Sequence, residues 1–286
     1  MPGVIAPFVG PEWLAAHRDE VVLADVRFFL DGRPARPAYE ERHLPGAVHV
    51  ELVPWLAAEA SPQAGRHPLP DPEVFAEGMA QAGIGDATTV VAYDDAGGVI
   101  AARLAWLLRI TGHDAAVLDG GLHAWTGAVE TGPPPAPARA RFTARAWPAQ
   151  RLASIDDVAG GTGVVLDARQ AERYAGEPDG VDPRAGHVPG ARSLPVREHL
   201  GPDGRLLGEE ALRARFAAVG VRPGAEVVSM CGSGVTACHN LLVLEHLALG
   251  PGRLYAGSWS QYAATDRPAA TGPDPGSAPD ASDPSG

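Results

Sequence analysis

The chain has 286 residues, of which 45% are hydrophobic, and a formal net charge of -12 at pH 7. It is long enough for two modest domains with apolar cores, and its acidic balance argues against nucleic-acid binding. All 23 basic residues are arginines, which excludes lysine chemistry such as a Schiff base or a phosphate-loop lysine.

The sequence gives no sign of membrane insertion or export. No apolar run reaches the length of a membrane-spanning helix, and the first residues lack a basic segment followed by an apolar stretch. The two cysteines, Cys231 and Cys238, lie seven positions apart and do not resemble a disulfide framework. We therefore expect a cytoplasmic protein with no membrane partner.

The first half of the chain alternates short apolar runs with helical patterns. Residues 21–26, 89–93 and 115–118 are apolar runs of strand length, which predicts three buried strands. Helices are predicted at 72–79 and from about Val99 to Arg109. Strands that alternate with helices are typical of an α/β fold with a mainly parallel sheet flanked by helices.

The second half of the chain repeats this pattern. Residues 164–169 correspond to 21–27, residues 209–220 correspond to the first predicted helix, and the run 227–231 corresponds to 90–94. The shared order indicates duplication of one α/β unit.

The repeat and the composition together predict the domain organisation. Between the two copies lies a Pro-rich stretch that predicts an extended linker, and the end of the chain has small and polar residues that predict disorder. The predicted parts are a first domain at 1–130, a linker at 131–150, a second domain at 151–264 and a disordered tail at 265–286.

A glycine-lined loop at the end of the strand 227–230 is the strongest candidate for chemistry. It runs Cys231-Gly232-Ser233-Gly234 and leads into a helical pattern from about Val235. Successive backbone N–H groups in such a loop, beside a helix N-terminus, stabilise an anion such as a thiolate. Cys231 is therefore the candidate nucleophile, with a core-filling thiol as the alternative.

Other residues around the loop limit its chemistry. The repeat puts Asp94 at the position of Cys231 in the first half, which predicts a catalytically silent first domain. Cys238 lies two helical turns beyond Cys231 and is expected to pack in the core. Together with His239, the two cysteines do not supply four convergent ligands, so we expect no metal.

These residues and motifs resemble the tandem-domain rhodanese superfamily, which includes thiosulfate sulfurtransferase and 3-mercaptopyruvate sulfurtransferase. The likeness rests on the segment 231–238, on His-Leu-Pro-Gly-Ala at 43–47, on Gly-His-Val-Pro-Gly-Ala at 186–191 and on Leu-Asp-Gly-Gly at 118–121. It implies two tandem rhodanese-like domains, an inactive first domain, and sulfur transfer through a persulfide on Cys231 without a cofactor.

The resemblance also implies roles for individual residues. Ser233 matches a serine that assists proton handling, and His43 matches a first-domain histidine that works with it, with Asp31 as the nearest candidate acid. Arg173 matches an arginine that binds the substrate carboxylate, and Arg184 is a displaced substitute for a second one. The substrate would also meet the loop backbone at Gly232, Gly234, Val235 and Thr236.

Each of these roles has a structural alternative. His43 and His187 precede similar Pro-Gly turns, so both could serve the turn alone. Ser233 could only shape the loop, and Arg173 could only pair with an acidic neighbour such as Glu172.

The sulfur donor is predicted from the residues after the cysteine. Thiosulfate enzymes tend to carry basic residues there, whereas this chain has Gly232 and Ser233, so the resemblance favours 3-mercaptopyruvate, with thiosulfate as the alternative. The acceptor would be a thiol, a thioredoxin-like protein or cyanide. A sulfur carrier without turnover is a further alternative, whereas a cysteine phosphatase needs an arginine where this chain has Ala237, Cys238 and His239.

Overall fold

The chain folds as two units, and each takes one short segment from the other half of the sequence. The computed structural model describes residues 5–134, 136–161, 163–178 and 180–277. The first unit comprises the chain up to Ala58, together with Leu69–Pro148 and Leu200–Leu206. The second unit comprises Glu59–Pro68, Ala149–His199 and the chain from Leu207 onward.

The first unit is built on a five-stranded parallel sheet with the order β1-β5-β4-β2-β3. Its central strands are almost entirely buried, as expected for a parallel sheet that is covered on both faces. The strands are β1 (Phe8–Val9), β2 (Val21–Asp25), β3 (Val48–His49), β4 (Thr89–Tyr93) and β5 (Ala115–Leu118). The helices are α1 (Pro11–Ala16), α2 (Ala35–Glu41), α3 (Pro72–Gln81), α4 (Ala102–Ile110) and α5 (Gly121–Ala124).

The second unit has a four-stranded parallel sheet with the order β7-β6-β8-β9, which reproduces β3-β2-β4-β5. At the place of β1, Leu152 forms an isolated parallel bridge with Leu254. The strands are β6 (Val164–Asp167), β7 (Arg192–Ser193), β8 (Val227–Met230) and β9 (Arg253–Leu254). The helices are α6 (Ile155–Ala159), α7 (Ala171–Ala175), α8 (Glu209–Ala218), α9 (Ala237–His246) and α10 (Ser258–Tyr262).

Equivalent hydrogen bonds also occur inside each of the two units. The Tyr39 hydroxyl donates to the Ala47 carbonyl at 2.6 Å, and the Tyr174 hydroxyl donates to the Ala191 carbonyl at the same distance. In both units an arginine two positions after the sheet aspartate binds that aspartate, as in the Arg27–Asp25 and Arg169–Asp167 pairs. The predicted duplication of an α/β unit with a parallel sheet is therefore confirmed.

The linker and the tail differ from their predictions. Among its described residues, 131–148 has no helix or strand, but it packs on the first unit, where Ala140 N–H donates to the Ala80 carbonyl. The tail was predicted to be disordered from 265, yet Ala270 forms a β-bridge with His187, and Gly190 N–H donates to the Pro275 carbonyl. Backbone hydrogen bonds hold this segment, and composition does not reveal them. Residues 278–286 lie outside the described residues.

Within the described residues, no helix combines the length and the apolar character needed to cross a membrane.

Candidate active site

Cys231 directly follows β8, at the carboxyl end of the second parallel sheet, where open α/β sheets bind their ligands. Its side chain is buried, and its Sγ accepts hydrogen bonds from the N–H groups of Gly234 at 3.1 Å and Ser233 at 3.5 Å. Two backbone N–H groups aimed at one sulfur would stabilise negative charge that develops on it. The loop is therefore built to hold a negatively charged sulfur.

The other predicted loop residues contribute carbonyl groups to hydrogen bonds. The carbonyl of Gly232 accepts from Ser260 N–H at 2.9 Å. The carbonyls of Val235 and Thr236 accept from the first residues of α9, Cys238 and His239. These bonds fix the loop between its sheet and its helix.

The loop conformation depends on a neighbouring segment that ends in α10. Gly234 has a φ of +78°, and a Cβ there would lie 2.5 Å from the Ala256 carbonyl oxygen, so no larger residue fits. Cys231 N–H donates to the Ser258 hydroxyl at 3.1 Å, and the Cys231 carbonyl accepts from Trp259 N–H at 2.9 Å. The backbone on both sides of the sulfur is thus held from outside the loop.

The hydroxyl of Ser233 contacts a histidine that the sequence analysis did not select. His67 Nδ1 lies 2.8 Å from Ser233 Oγ, and both residues are buried. His67 belongs to the segment Glu59–Pro68, which the Ser260 hydroxyl holds by accepting from Arg66 N–H at 3.0 Å. An imidazole beside a hydroxyl can accept or return a proton at that oxygen.

His43, which was predicted to work with Ser233, makes its contacts within the first unit. Its Nδ1 lies 2.8 Å from the Tyr39 carbonyl, and its ring stacks on Tyr39 with 4.3 Å between ring centroids. His187 repeats both contacts with Tyr174. The geometry therefore supports the alternative in which the two histidines share a structural role, and His67 replaces His43 as the partner of Ser233.

Asp31, the predicted acid partner of His43, forms an ion pair with Arg33 at 3.3 Å, and both side chains are 62% exposed. The prediction of Asp31 as the acid is therefore not supported. One signal in the sequence distinguishes His67 from His43. His43 has a counterpart in the repeat, as a structural residue should, whereas His67 lies in a segment without helical or strand periodicity and matches no histidine in the second copy.

Two guanidinium groups lie beside Gly232. A Cβ placed on Gly232 would be 2.9 Å from Arg66 Nη2 and 3.3 Å from Arg173 Nη2. Both arginines donate to the carboxylate of Asp182, Arg173 at 3.0 Å. The structure therefore brings the predicted Arg173 to the loop and adds Arg66, from the same segment as His67.

Arg184 does not take the place of a second loop arginine. Its Nη2 donates to the Arg267 carbonyl at 2.6 Å, and its guanidinium lies 5.8 Å from the ring centroid of Trp259. These contacts join Arg184 to Trp259 and Arg267, so the prediction that Arg184 substitutes for the second arginine is not supported by its position. Arg66 lies beside Gly232 instead.

The equivalent loop of the first unit holds a built-in anion. Asp94 follows β4, and four backbone N–H groups at 2.7–2.8 Å donate to its buried carboxylate, those of Ala96, Gly98, Ile100 and Ala101. Burial raises the pKa of Asp94, and the four donors oppose that shift. This loop carries no thiol, in keeping with a silent first unit.

The repeat seen in the fold is also recognised by comparison with known proteins. A family model described as the rhodanese-like domain matches residues 10–128 and again residues 149–265. The chain belongs to the rhodanese family. Its tandem arrangement explains why the two sheets share their strand order and why each is followed by an equivalent loop.

Relatives of this rhodanese protein are sulfurtransferases. It is 40% identical over 281 residues to the "Probable 3-mercaptopyruvate sulfurtransferase" of Pseudomonas aeruginosa, covering 93% of this chain and 99% of the relative. It is 38% identical over 253 residues to the "Putative thiosulfate sulfurtransferase SseB" of Mycobacterium tuberculosis, covering 85% and 88%. The structure of 3-mercaptopyruvate sulfurtransferase from Leishmania major superposes with a TM-score of 0.84 at 33% identity, covering 94% of this chain and 76% of that one. The protein is a sulfurtransferase, with a sulfur donor and a sulfur acceptor as substrates.

Within the described residues, no group of three or more His, Cys, Asp or Glu side chains is arranged to hold a metal ion.

Proposed function

We propose that this sulfurtransferase takes sulfur from 3-mercaptopyruvate as a persulfide on Cys231 and passes it to a thiol, a thioredoxin-like protein or cyanide. One observation carries the proposal. Backbone N–H groups that stabilise an anionic sulfur, and two guanidinium groups that suit a carboxylate, converge on the same loop at Gly232.

In the first half-reaction the Cys231 thiolate attacks the sulfur of the donor. The S–S bond forms as the donor C–S bond breaks, and the electron pair of that bond passes to the enolate of pyruvate. The thiol proton of the donor ends on the enolate carbon, so the products are pyruvate and the Cys231 persulfide anion. The N–H groups of Ser233 and Gly234 are placed to stabilise this anion.

The donor carboxylate would be bound by Arg173 and Arg66. Guanidinium groups present parallel N–H donors that match the two oxygens of a carboxylate, and both groups lie within reach of Gly232. This would hold the donor with its sulfur beside Cys231.

The Ser233–His67 pair would move the proton. The Ser233 hydroxyl is two residues from Cys231, and His67 Nδ1 lies 2.8 Å behind it. Because mercaptopyruvate must lose a thiol proton and its enolate must gain one, a hydroxyl–imidazole pair at this position serves both events.

In the second half-reaction the acceptor attacks the outer sulfur of the persulfide, and the Cys231 thiolate leaves. The outer sulfur goes to the acceptor, and the free enzyme is regenerated in a ping-pong cycle. A carrier without turnover would stop after the first half-reaction.

Thiosulfate is the second candidate donor, and a specific observation favours it. The two guanidinium groups at Gly232 supply the positive charge that a sulfonate needs and that the loop sequence lacks. Sulfite leaves thiosulfate without needing a proton, so the Ser233–His67 pair favours 3-mercaptopyruvate.

Steady-state sulfur transfer with both donors tests the proposal. We expect a higher kcat/KM with 3-mercaptopyruvate than with thiosulfate, and complete loss of both activities in Cys231→Ser. Cys238→Ala, which removes the other buried thiol, is the matched control and should retain most of the activity. A preference for thiosulfate would overturn the donor, and turnover by Cys231→Ser would overturn the persulfide mechanism.

A further inference from the structure

A buried carboxylate lies against both arginines of the candidate donor site. The side chain of Asp182 is 4% exposed, and its two oxygens accept separately from Arg66 Nη1 and from Arg173 Nη2. A negative charge next to an anion-binding site weakens anion binding. Asp182 therefore cannot serve to increase the affinity for the donor anion, and its presence needs another explanation.

The effect of Asp182 is seen by counting charges around Gly232. Among the described residues, Arg66 and Arg173 bring two positive charges and Asp182 brings one negative charge, so these three side chains together carry about +1 rather than +2. The neighbouring Arg169 is neutralised by its own partner Asp167, which accepts from it at 2.6 Å. Asp182 therefore lowers the positive charge that a donor anion meets at the two arginines.

The two donors of this reaction class differ in charge. 3-Mercaptopyruvate with a protonated thiol carries one negative charge, on its carboxylate, whereas thiosulfate carries two. The second negative charge of thiosulfate interacts with the net charge of the site. The net charge of the site therefore governs the preference between thiosulfate and 3-mercaptopyruvate.

We propose that Asp182 is a specificity-determining residue that, by halving the charge of the Arg66–Arg173 pair, makes the site select singly charged sulfur donors over doubly charged ones. By accepting from both guanidinium groups it also fixes them beside Gly232. This inference rests on the proposed function, because it requires that the donor anion binds at these two arginines.

The test is the ratio of kcat/KM for thiosulfate to kcat/KM for 3-mercaptopyruvate in charge variants of the cluster. Asp182→Asn raises the net charge by one unit and should raise this ratio by roughly tenfold, the size of one screened charge interaction in a largely buried site that is open to solvent on one side. Asp182→Glu keeps the charge and is the matched control, whose ratio should stay within about twofold of wild type.

A second variant changes the net charge of the same cluster in the opposite direction. Arg66→Gln lowers the net charge by one unit and should lower the ratio by a similar factor, even though it weakens both donors. The double variant Asp182→Asn with Arg66→Gln restores the net charge and should return the ratio toward wild type. Arg66→Gln decides the question by itself if Asp182→Asn does not fold.

The inference and the proposed function fail in different ways. A ratio that is unchanged in both Asp182→Asn and Arg66→Gln overturns the role of Asp182, whichever donor the wild type prefers. Equal changes in Asp182→Glu and Asp182→Asn also overturn it, since packing rather than charge would then decide. Turnover in Cys231→Ser, or no sulfur transfer from 3-mercaptopyruvate by the wild type, overturns the proposed function instead.

Discussion

Replacing Gly234 by alanine tests the geometry of the sulfur-binding loop against a closely matched control. Gly234 and Gly224 both lie in the second unit, and both have a φ of +78°. A Cβ at Gly224 meets nothing within 4 Å, whereas a Cβ at Gly234 lies 2.5 Å from the Ala256 carbonyl oxygen. The difference between the two alanine variants therefore isolates the clash in the loop.

The expected loss of stability has two parts, the cost of a left-handed backbone and the cost of the clash with Ala256. Alanine in the left-handed region costs about 1–2 kcal/mol, and both variants carry that cost. In Gly234→Ala the Ala256 backbone must also move, which adds about 1–3 kcal/mol, as is typical of overpacked sites. Since 1 kcal/mol corresponds to about 2–4 °C in a chain of this size, Gly234→Ala should melt several degrees below Gly224→Ala.

The same pair separates stability from activity. A shift of about 1 Å in a catalytic loop can lower the rate by about 10²-fold, so Gly234→Ala should lose nearly all sulfur transfer while Gly224→Ala keeps it. Melting curves followed by circular dichroism, with activity measured on folded protein, provide both readouts. Equal melting temperatures and equal activities would refute the loop geometry described above.

Three further outcomes are expected from changes in and around the two loops. His67→Asn should lower kcat with 3-mercaptopyruvate by about 10²–10⁴-fold and thiosulfate turnover much less, because only the first donor needs the proton; equal losses would contradict the role of Ser233 and His67. Burial lowers the pKa of His199 to about 4 and of His239 to about 3, below the value near 6.5 in the unfolded chain, so their contribution is complete above that value and is lost as pH falls toward 3. His239→Leu should therefore reduce the fall of the free energy of unfolding with acidification, measured by urea titration, by up to about 1.4 kcal/mol per pH unit, and an unchanged slope would contradict the assignment. Asp94→Asn should destabilise the protein by about 2–4 kcal/mol in urea unfolding, since an amide cannot accept all four N–H bonds, yet leave kcat of the folded enzyme unchanged; a fall in kcat would give the first unit a part in the reaction.

The strands and the nucleophilic loop could be predicted because their signals are local. The run Val227–Met230 and the glycines after it form one continuous segment, and the structure places strand and loop as expected. Helix α4 starts at Ala102 rather than at the predicted Val99. The N–H groups of Ile100 and Ala101, which precede it, donate to the Asp94 carboxylate.

The partners of the loop could not be predicted in the same way. His67 and Arg66 lie in a segment with no helix or strand periodicity, and hydrogen bonds to residues nearly 200 positions later hold it in the second unit. No local pattern encodes such a contact. The family resemblance pointed to His43 instead. A residue that both copies share, such as His43 with its counterpart His187, indicates a structural role, and chemistry is expected where the copies differ, as at Asp94 and Cys231.

The contacts of the tail could not be predicted from its composition either. Residues 265–277 carry no large apolar side chain, but the Gly190 N–H donates to the Pro275 carbonyl at 2.7 Å and Ala270 bridges His187. Backbone groups supply this order, so side-chain composition gives no sign of it.

The most direct test of the account is the mass of the enzyme after it meets its donor without an acceptor. Wild-type protein incubated with 3-mercaptopyruvate should gain the mass of one sulfur atom on the peptide that contains Cys231, release one pyruvate per chain, and lose the added sulfur when a thiol is supplied. Added sulfur on Cys238, or pyruvate release without any added sulfur, would contradict the persulfide on Cys231.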